Sequence, residues 1–308
     1  MTRISVIGLG AMGASYAAKL SRVAQVRVIA DGERAARLER DGVTVNGERF
    51  DFPVVRPDEP AEPADLVLVG VKYTAFPLAV RQIAGHVGPG TVIVSLINGI
   101  SSEDELATAF PQARVLYSIT FGVDAVRTGQ SVAYASLGAM AFGEARNVAP
   151  YAEPVRWLAA LFDACGLVYE IPDDMIARLW WKFMVNVGVN QITAVLKAPY
   201  AQVQREGPAH EAMLAAQREV VAVAQAKGIA LSEADVTSWL GVLGKLGPGQ
   251  YTSMAQDAMA GRPMETAIFG GAMCRLGAET GVPVPVNTVL NQLLEAASDA
   301  SGPRPAQP

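Results

Sequence analysis

Three glycines near the start of the chain constrain its fold more than any other feature. A short apolar run at residues 4–7 precedes Gly8, and a helical pattern follows Gly13. Glycine at the first position permits a tight turn, at the second a close backbone approach to a ligand, and at the third close helix–strand packing. A helix N-terminus favours phosphate through its dipole and free N–H groups. We expect a dinucleotide to bind through Gly8, Gly10, Ala11, Met12 and Gly13.

A second apolar run ends at Asp31, 18 residues after Gly13. A carboxylate at about this distance typically accepts hydrogen bonds from a ribose 2′-OH and repels a 2′-phosphate. Asp31 therefore predicts NADH. Arg34 stands one helical turn further on and keeps NADPH open as the alternative. A glycine turn without any ligand is the other alternative, but the flanking strand, helix and acid disfavour it.

Composition excludes several classes of protein. The net charge is −5 and no block of lysine and arginine is present, which argues against nucleic-acid binding. The sequence contains no stretch of 18 uninterrupted apolar residues, so a membrane span is not expected. Cys165 and Cys274 provide neither a disulfide framework nor metal-ligand spacing. We expect a cytoplasmic protein that binds no metal, membrane or nucleic acid.

The pattern changes near residue 171. Before it, short apolar strands alternate with helices, including buried strands at 65–71 and 91–97, which predicts a doubly wound parallel sheet. Further strands between 114 and 143 are expected at the edge of this sheet, and Ser102 with Glu105 predicts a capping box. After residue 171, only helical periodicity remains. We predict an α/β fold with a Rossmann-type domain at 1–171, an all-helical substrate domain at 172–301 and a disordered tail at 302–308.

One apolar helix of the second half carries a polar stripe. Asn186, Asn190 and Thr193 follow Lys182 at spacings of 4, 8 and 11 residues, which places all four on one face. Such groups are costly to bury without partners, so they fit a pocket for a carboxylate or a carbonyl oxygen. The alternative is a snorkelling lysine above asparagines at a helix crossing.

The chain has two histidines, and neither fits an acid–base role. His86 lies in a glycine-rich loop and His210 in the polar first turn of a helix, so both are expected to be solvated. Lysine is then the better proton donor for a ketone. Glu265, before a helix expected to open at Ile268, is the candidate carboxylate that raises the pKa of Lys182. An ordinary acid at a helix N-terminus is the alternative for Glu265.

Over nearly its whole length, the chain resembles the ketopantoate reductase family. The motifs that carry the resemblance lie in the same order across both halves: GLGAMG at 8–13, VK at 71–72, NG at 98–99, LWWKFMVN at 179–186 with Asn190 and Thr193-Ala194, TSMAQD at 252–257, and Glu265.

The resemblance implies a reaction and a set of roles. A reduced nicotinamide would deliver hydride to the ketone of ketopantoate, giving pantoate for pantothenate and coenzyme A synthesis. Lys182 would be the general acid, and Glu265 would orient it and contact the substrate. The remaining roles implied are substrate binding by Asn186, Asn190, Ser253 and Asn98, and cofactor binding by Lys72 and Asn98, the latter beside the nicotinamide ribose.

Three positions depart from the family pattern. Asp31 replaces a basic residue that meets the 2′-phosphate, which again predicts NADH. Ala267 stands where the family often has a second acid, and Gln191 where a proline usually follows the asparagine. The contacts to the distal end of the substrate are therefore open, and another branched 2-keto acid is an alternative substrate.

Two further classes stay open. A β-hydroxyacid dehydrogenase of the 3-hydroxyisobutyrate type also has a glycine turn like GLGAMG and a lysine with an asparagine four residues on. That family carries a DGPVSGG-like motif, which this sequence lacks. A non-catalytic dinucleotide sensor would tolerate loss of Lys182 and Glu265, and both are present. The abundant apolar helices of the second half favour a homodimer.

Overall fold

The structure, a computed structural model, describes residues 1–300. The tail predicted at 302–308 lies outside the described residues. The chain divides into two compact units, one at Met1–Leu179 and the other from Trp180 onward.

The first unit is built largely from strands and helices in alternation. In chain order they are β1 (Arg3–Ile7), α1 (Ala11–Leu20), β2 (Gln25–Ile29), α2 (Gly32–Asp41), β3 (Val43–Val45), β4 (Glu48–Phe50), β5 (Val54–Val55), β6 (Leu66–Val69), α3 (Phe76–Gln82), β7 (Val92–Ser95), α4 (Ser102–Ala109), β8 (Arg114–Phe121), β9 (Val126–Thr128), β10 (Ser131–Ala133), β11 (Ala139–Gly143), α5 (Glu153–Cys165) and β12 (Tyr169–Glu170).

Within residues 1–300, the main sheet has the strand order β12-β11-β8-β7-β6-β1-β2-β5. The six neighbouring strands β5, β2, β1, β6, β7 and β8 pair in parallel, and β11 pairs antiparallel with β8. The order β5-β2-β1-β6-β7-β8 is that of the doubly wound dinucleotide-binding fold. The Rossmann-type prediction is thereby confirmed.

Helices cover both faces of this sheet, which explains why its strands are apolar without alternation. Leu66 and Leu68 of β6 pack into one core together with α1 and α5. Val67 and Val69, on the opposite face, pack into a second core with α3 and α4. Every residue of β6 is consequently buried, as expected for a strand between two helical layers.

A small second sheet was not predicted from the sequence. It has the order β4-β3-β10-β9, so β9 and β10 do not extend the edge of the main sheet as predicted. β3 and β4 form a hairpin around Asn46 and Gly47, both with positive φ. Val43, Val45 and Val132 join the core beneath α1, which explains why these strands form a separate layer.

Helices continue from residue 175 through the second unit. They are α6 (Met175–Leu196), α7 (Ala201–Gln204), α8 (Pro208–Ala226), α9 (Glu233–Leu243), α10 (Ser253–Met259), α11 (Gly270–Thr280) and α12 (Pro285–Ala300). Between 1 and 300, no helix combines the length and apolar character needed to span a bilayer.

Candidate active site

The glycine turn packs tightly against the turn that follows β6. Gly8 has φ +89°, and a Cβ there would lie 2.6 Å from the carbonyl carbon of Gly70. A Cβ on Gly13 would lie 2.0 Å from the carbonyl oxygen of Gly8. Both glycines are therefore required by the protein's own packing. They hold the start of α1 directly beyond the carboxyl end of β1.

Gly10 is glycine for a different reason. Its φ is −67°, which any residue adopts, and a Cβ there would meet only the Gly70 carbonyl oxygen, at an ordinary 3.7 Å. Apart from its chain neighbours and its own helix backbone, no other described atom lies within 4 Å of that Cβ position. The packing of the protein does not require glycine at this position. The absence of a side chain therefore fits close approach of a pyrophosphate to the backbone.

The N-terminus of α1 is also suited to an anion. Gly10 is the N-cap, no side chain caps the helix, and its first turn contains no acid. Ala11 and Met12 occupy the first two helical positions, where N–H groups lack intrahelical acceptors. These N–H groups and the helix dipole fit the phosphates of a dinucleotide.

Asp31 and Lys72 follow the two strands on either side of β1. Asp31 is exposed and accepts a hydrogen bond from Gln82 Nε2 at 2.7 Å. Its side chain does not cap α2, although Asp31 occupies the N-cap position. Lys72 precedes the 3₁₀ turn Tyr73–Ala75 and is exposed.

Asn98 lies on the loop between β7 and α4. The loop continues the sheet's hydrogen bonding, since Leu96 N–H donates to Val69 O at 2.8 Å. Gly99 has φ +103° and turns the chain immediately after Asn98. Because β2, β1, β6 and β7 are parallel neighbours, the fold brings the glycine turn, Asp31, Lys72 and Asn98 to one edge of the sheet. This edge is where ligands bind in doubly wound folds.

In the second unit, α6 carries the predicted polar stripe. Asn186 and Asn190 are each only 6% exposed, and Thr193 is fully buried. Within the described residues, no hydrogen bond joins either asparagine carboxamide to the protein. Lys182 lies one turn before Asn186 and is half-buried. The two carboxamides are not among the fully buried unpartnered polar atoms of the described residues, so water or a ligand can reach and satisfy them.

A hydroxyl pair connects this stripe to α10. Thr193 Oγ1 lies 2.8 Å from Thr252 Oγ1, and Thr252 caps α10 by accepting the N–H of Ala255 at 3.1 Å. Ser253, the first residue of α10, is exposed. The TSMAQD segment is therefore hydrogen-bonded to the polar face of α6 through Thr252, the first residue of the motif.

Glu265 lies beyond the other end of α10. Arg262 Nε donates to Asp257 Oδ1 at 2.7 Å and fixes the segment that leads to Glu265. Glu265 is half-buried and precedes a 3₁₀ turn, Thr266–Ile268. The prediction that a helix opens at Ile268 was therefore wrong in position, because α11 begins at Gly270.

The solvated state predicted for His86 was also wrong. His86 is 1% exposed, and its Nδ1 lies 2.9 Å from Ser5 Oγ. Burial lowers the pKa of His86 to about 4, and the Arg27 charge contributes. Ala64, just before β6, donates to the His86 carbonyl, which places His86 at the amino ends of the strands, away from the glycine turn. His210 is half-buried and its Nδ1 lies 2.7 Å from Val203 O.

Sequence reasoning missed a buried acid next to the Asn98 loop. The capping box predicted for Ser102 and Glu105 is wrong, because Ser101 is the N-cap and no side chain caps α4. Ser102 instead donates from Oγ to Glu103 Oε2 at 2.9 Å. Glu103 is 2% exposed. Consecutive acids in the first turn of a helix, here Glu103, Asp104 and Glu105, are typical of an exposed, dipole-stabilised helix start, so this pattern does not predict burial of Glu103.

Comparisons with known proteins agree with this geometry. Residues 4–147 match the family model "Ketopantoate reductase PanE/ApbA", and residues 174–298 match its C-terminal counterpart. A 2-dehydropantoate 2-reductase of Mycobacterium tuberculosis is 27% identical over 307 residues, covering 98% of this chain and 99% of its relative.

Solved structures show the same fold. That of 2-dehydropantoate 2-reductase from Geobacter metallireducens GS-15 has a TM-score of 0.83 at 29% identity, covering 96% of this chain and 99% of the other. The structure of a D-mandelate dehydrogenase with NADH and anilino(oxo)acetate has a TM-score of 0.87 at 22% identity, covering 97% and 99%. The chain belongs to the ketopantoate reductase family and is an NAD(P)-dependent oxidoreductase of that type.

Proposed function

We propose that this enzyme reduces the ketone of 2-dehydropantoate to pantoate, a step of pantothenate and coenzyme A biosynthesis. When bound, the reduced nicotinamide supplies the hydride. Lys182 supplies the proton to the oxygen of the former ketone. Membership of the family supports the reaction class, and the polar stripe of α6 supports the substrate's chemistry.

The observation that carries the proposal is the pair Asn186 and Asn190. Each residue is only 6% exposed, yet its carboxamide bonds to no described part of the protein and keeps access to solvent. Carboxamides donate and accept hydrogen bonds, so a pair of them suits a substrate that presents both a carboxylate and hydroxyl groups. Ser253, held next to Thr252, adds a further hydroxyl for the same purpose.

Lys182 and Glu265 divide the acid–base work. An ammonium near a ketone oxygen polarises the carbonyl and then donates its proton from Nζ as negative charge develops. A nearby carboxylate favours the charged form of a lysine and orients it. Glu265 has this role in the proposal, with direct contact to the substrate in addition.

For the cofactor, we propose that Asp31 selects NADH over NADPH. Asp31 is the exposed acid at the end of β2, and Gln82 holds its carboxylate by a 2.7 Å hydrogen bond. A fixed carboxylate accepts from a ribose 2′-OH and repels a 2′-phosphate. Asn98 and Lys72, on the neighbouring strand ends, complete the proposed contacts with the nicotinamide ribose and the rest of the cofactor.

A second candidate is the reduction of another branched 2-keto acid. The observation that favours it is Ala267, an exposed methyl group where the family often has an acid. Gln191 also departs from the family, which usually has a proline at this position. Its Nε2 donates a hydrogen bond to Asn287 Oδ1 at 2.8 Å. The D-mandelate dehydrogenase of the same fold has a name that implies a different 2-hydroxy acid.

The test is the loss of absorbance at 340 nm with 2-dehydropantoate, measured side by side with NADH and NADPH. We expect turnover with both and a higher kcat/KM with NADH. Folded protein that binds the cofactor but reduces only other 2-keto acids, such as phenylglyoxylate, would replace the first candidate by the second. Binding without turnover on any 2-keto acid would contradict both and favour a sensor.

A further inference from the structure

Glu103 is a buried acid that the proposed chemistry does not use. Its carboxylate accepts hydrogen bonds from Ser102 Oγ at 2.9 Å and from the N–H of Ser118 at 3.3 Å. Among the described residues, no lysine or arginine pairs with it. Burying a carboxyl group without a cation is costly. Such a cost indicates a role beyond packing.

The hydrogen bonds of Glu103 continue to the loop that carries Asn98. Ser102 Oγ lies 2.9 Å from Ser95 Oγ, and Ser95 Oγ accepts the N–H of Ile97 at 3.2 Å. Ser118 Oγ holds the same corner by donating to the Ser95 carbonyl at 2.6 Å. The chain of bonds therefore ends on the main chain one residue before Asn98.

The direction of this chain depends on the ionisation of Glu103. When the carboxylate is charged, Ser102 donates to it, Ser95 donates to Ser102, and Ile97 donates to Ser95. A proton on the carboxylate oxygen facing Ser102 reverses the first bonds, and the Ser95 hydroxyl proton then has no acceptor within the chain. Hydrogen bonds in series strengthen one another, so the charged form holds the loop more firmly.

We propose that Glu103 is a positioning residue for the Asn98 loop. Its ionised carboxylate aligns the hydroxyl groups of Ser102 and Ser95, and this alignment fixes the main chain at Ile97 for cofactor binding. The inference rests on the proposed function for the role of Asn98. It requires only residues of the first unit, in which the glycine turn and Asn98 share one sheet edge.

The electrostatics of the corner make this carboxylate sensitive to pH. The pKa of Glu103 is raised to about 7, mainly by burial; the hydrogen bonds from Ser102 and Ser118 oppose this shift, and the charge of Asp104 adds a smaller contribution to it. Tyr117, from β8, donates to Asp104 Oδ1 at 2.6 Å, and the Glu103 charge contributes to raising its pKa. Arg114, at the start of the same strand, is exposed. β7 contributes the neutral Ser95. Acidification through pH 7 is therefore expected to protonate Glu103 and loosen the loop.

The test compares wild type, Glu103→Gln and Ser95→Ala by fluorescence titration with NADH and with NADPH between pH 6.5 and 8.5. We expect wild-type affinity to fall as the pH decreases. Both variants should bind about tenfold more weakly than wild type at pH 8.5, the size of one lost hydrogen bond. Glu103→Gln should also bind independently of pH. The double variant should be no weaker than either single one, since both break the same chain.

Asp104→Asn is the matched control, because it removes one negative charge from the same helical turn outside the chain of bonds. Its affinity should still fall on acidification, but with a midpoint at lower pH than in wild type, because the Asp104 charge contributes to the raised pKa of Glu103. If Glu103→Gln binds as wild type does at every pH, or Asp104→Asn has the same effect as Glu103→Gln, the inference is overturned while the proposed function stands. A wild-type protein that binds neither cofactor overturns the proposed function and the inference together. Ser95→Ala keeps the test valid if Glu103→Gln does not fold.

Discussion

Lys182 is the single residue on which the proposed proton transfer depends. Replacing it by alanine removes the donor but leaves the cofactor contacts of the first unit unchanged. We expect kcat to fall by about 10²–10⁴-fold, the usual contribution of general acid catalysis. Cofactor affinity should stay nearly constant. Stopped-flow reduction of 2-dehydropantoate and a separate NADH titration measure the two quantities.

Lys182→Arg is the control that separates charge from proton donation. A guanidinium keeps the positive charge, but its pKa is too high for it to give up a proton readily. This variant should be nearly as slow as Lys182→Ala while binding the substrate better. Near-wild-type kcat in either variant would exclude Lys182 as the general acid.

Asp31 decides the proposed cofactor preference. Asp31→Arg removes an acceptor for the 2′-OH and introduces a partner for the 2′-phosphate, so kcat/KM should shift from NADH toward NADPH by at least tenfold. Glu33→Arg is the matched control, because it makes the same charge change two residues further along α2. Equal shifts in the two variants would mean that the electrostatic potential of this region, and not a direct contact with Asp31, sets the preference between NADH and NADPH.

At the level of residues, the sequence indicated the chemical groups better than their surroundings. The polar face of α6 followed from the spacing of Lys182, Asn186 and Asn190. The burial of His86 and Glu103 did not follow, because both depend on neighbours distant in the chain. Ser5 lies 81 residues from His86, and Ser118 lies 15 from Glu103. Local polarity cannot report such contacts.

Among the structural elements, the glycine turn allows packing to be separated from binding. Gly13→Ala would place a Cβ 2.0 Å from the Gly8 carbonyl oxygen, so the turn must shift. We expect a loss of unfolding free energy of about 1–3 kcal/mol, as for other overpacked sites. Gly10→Ala meets only an ordinary 3.7 Å contact and should leave stability unchanged while weakening cofactor binding. Urea unfolding and NADH titration of both variants test this.

The outcome that would contradict this separation is equally specific. If Gly10→Ala binds NADH as tightly as wild type, the space beside Gly10 does not accept the pyrophosphate. If Gly13→Ala is as stable as wild type, the close packing of the turn against Gly8 is not required.

The central strands of the main sheet were predictable because two buried faces leave an uninterrupted apolar pattern, whereas the half-buried two-residue edge strand β5 was not predicted. The small second sheet was missed although one of its signals was present. Asn46-Gly47, between Val43–Val45 and Glu48–Phe50, is a typical two-residue hairpin turn. The parallel pairing of β10 with β3 joins segments more than 80 residues apart, which no local pattern encodes.

On the scale of the whole molecule, motif order indicated the family and the doubly wound fold more reliably than composition did. The glycine turn, Asp31, Lys72 and Asn98 meet because parallel strands end at one edge, which topology alone dictates. The domain boundary at residue 171, the homodimer and the cytoplasmic location stay predictions. They depend on surfaces and surroundings that sequence patterns within one chain do not describe.

The raised pKa of Glu103 predicts that stability and cofactor binding change in opposite directions with pH. Its folded pKa of about 7 lies above the ordinary 4.5, so the folded state binds the proton more tightly. This stability is fully present below pH 4.5 and is lost as the pH rises through 7. Between pH 6.5 and 8.5, we expect wild type to lose about 1 kcal/mol of unfolding free energy relative to Glu103→Gln. His86 titrates in both proteins, so its contribution cancels in this difference. Over the same interval, wild-type affinity for NADH should rise. Urea unfolding followed by circular dichroism, with the NADH titrations at the same pH values, measures both trends. If the stability difference does not change with pH, Glu103 is ionised in the folded protein throughout this interval.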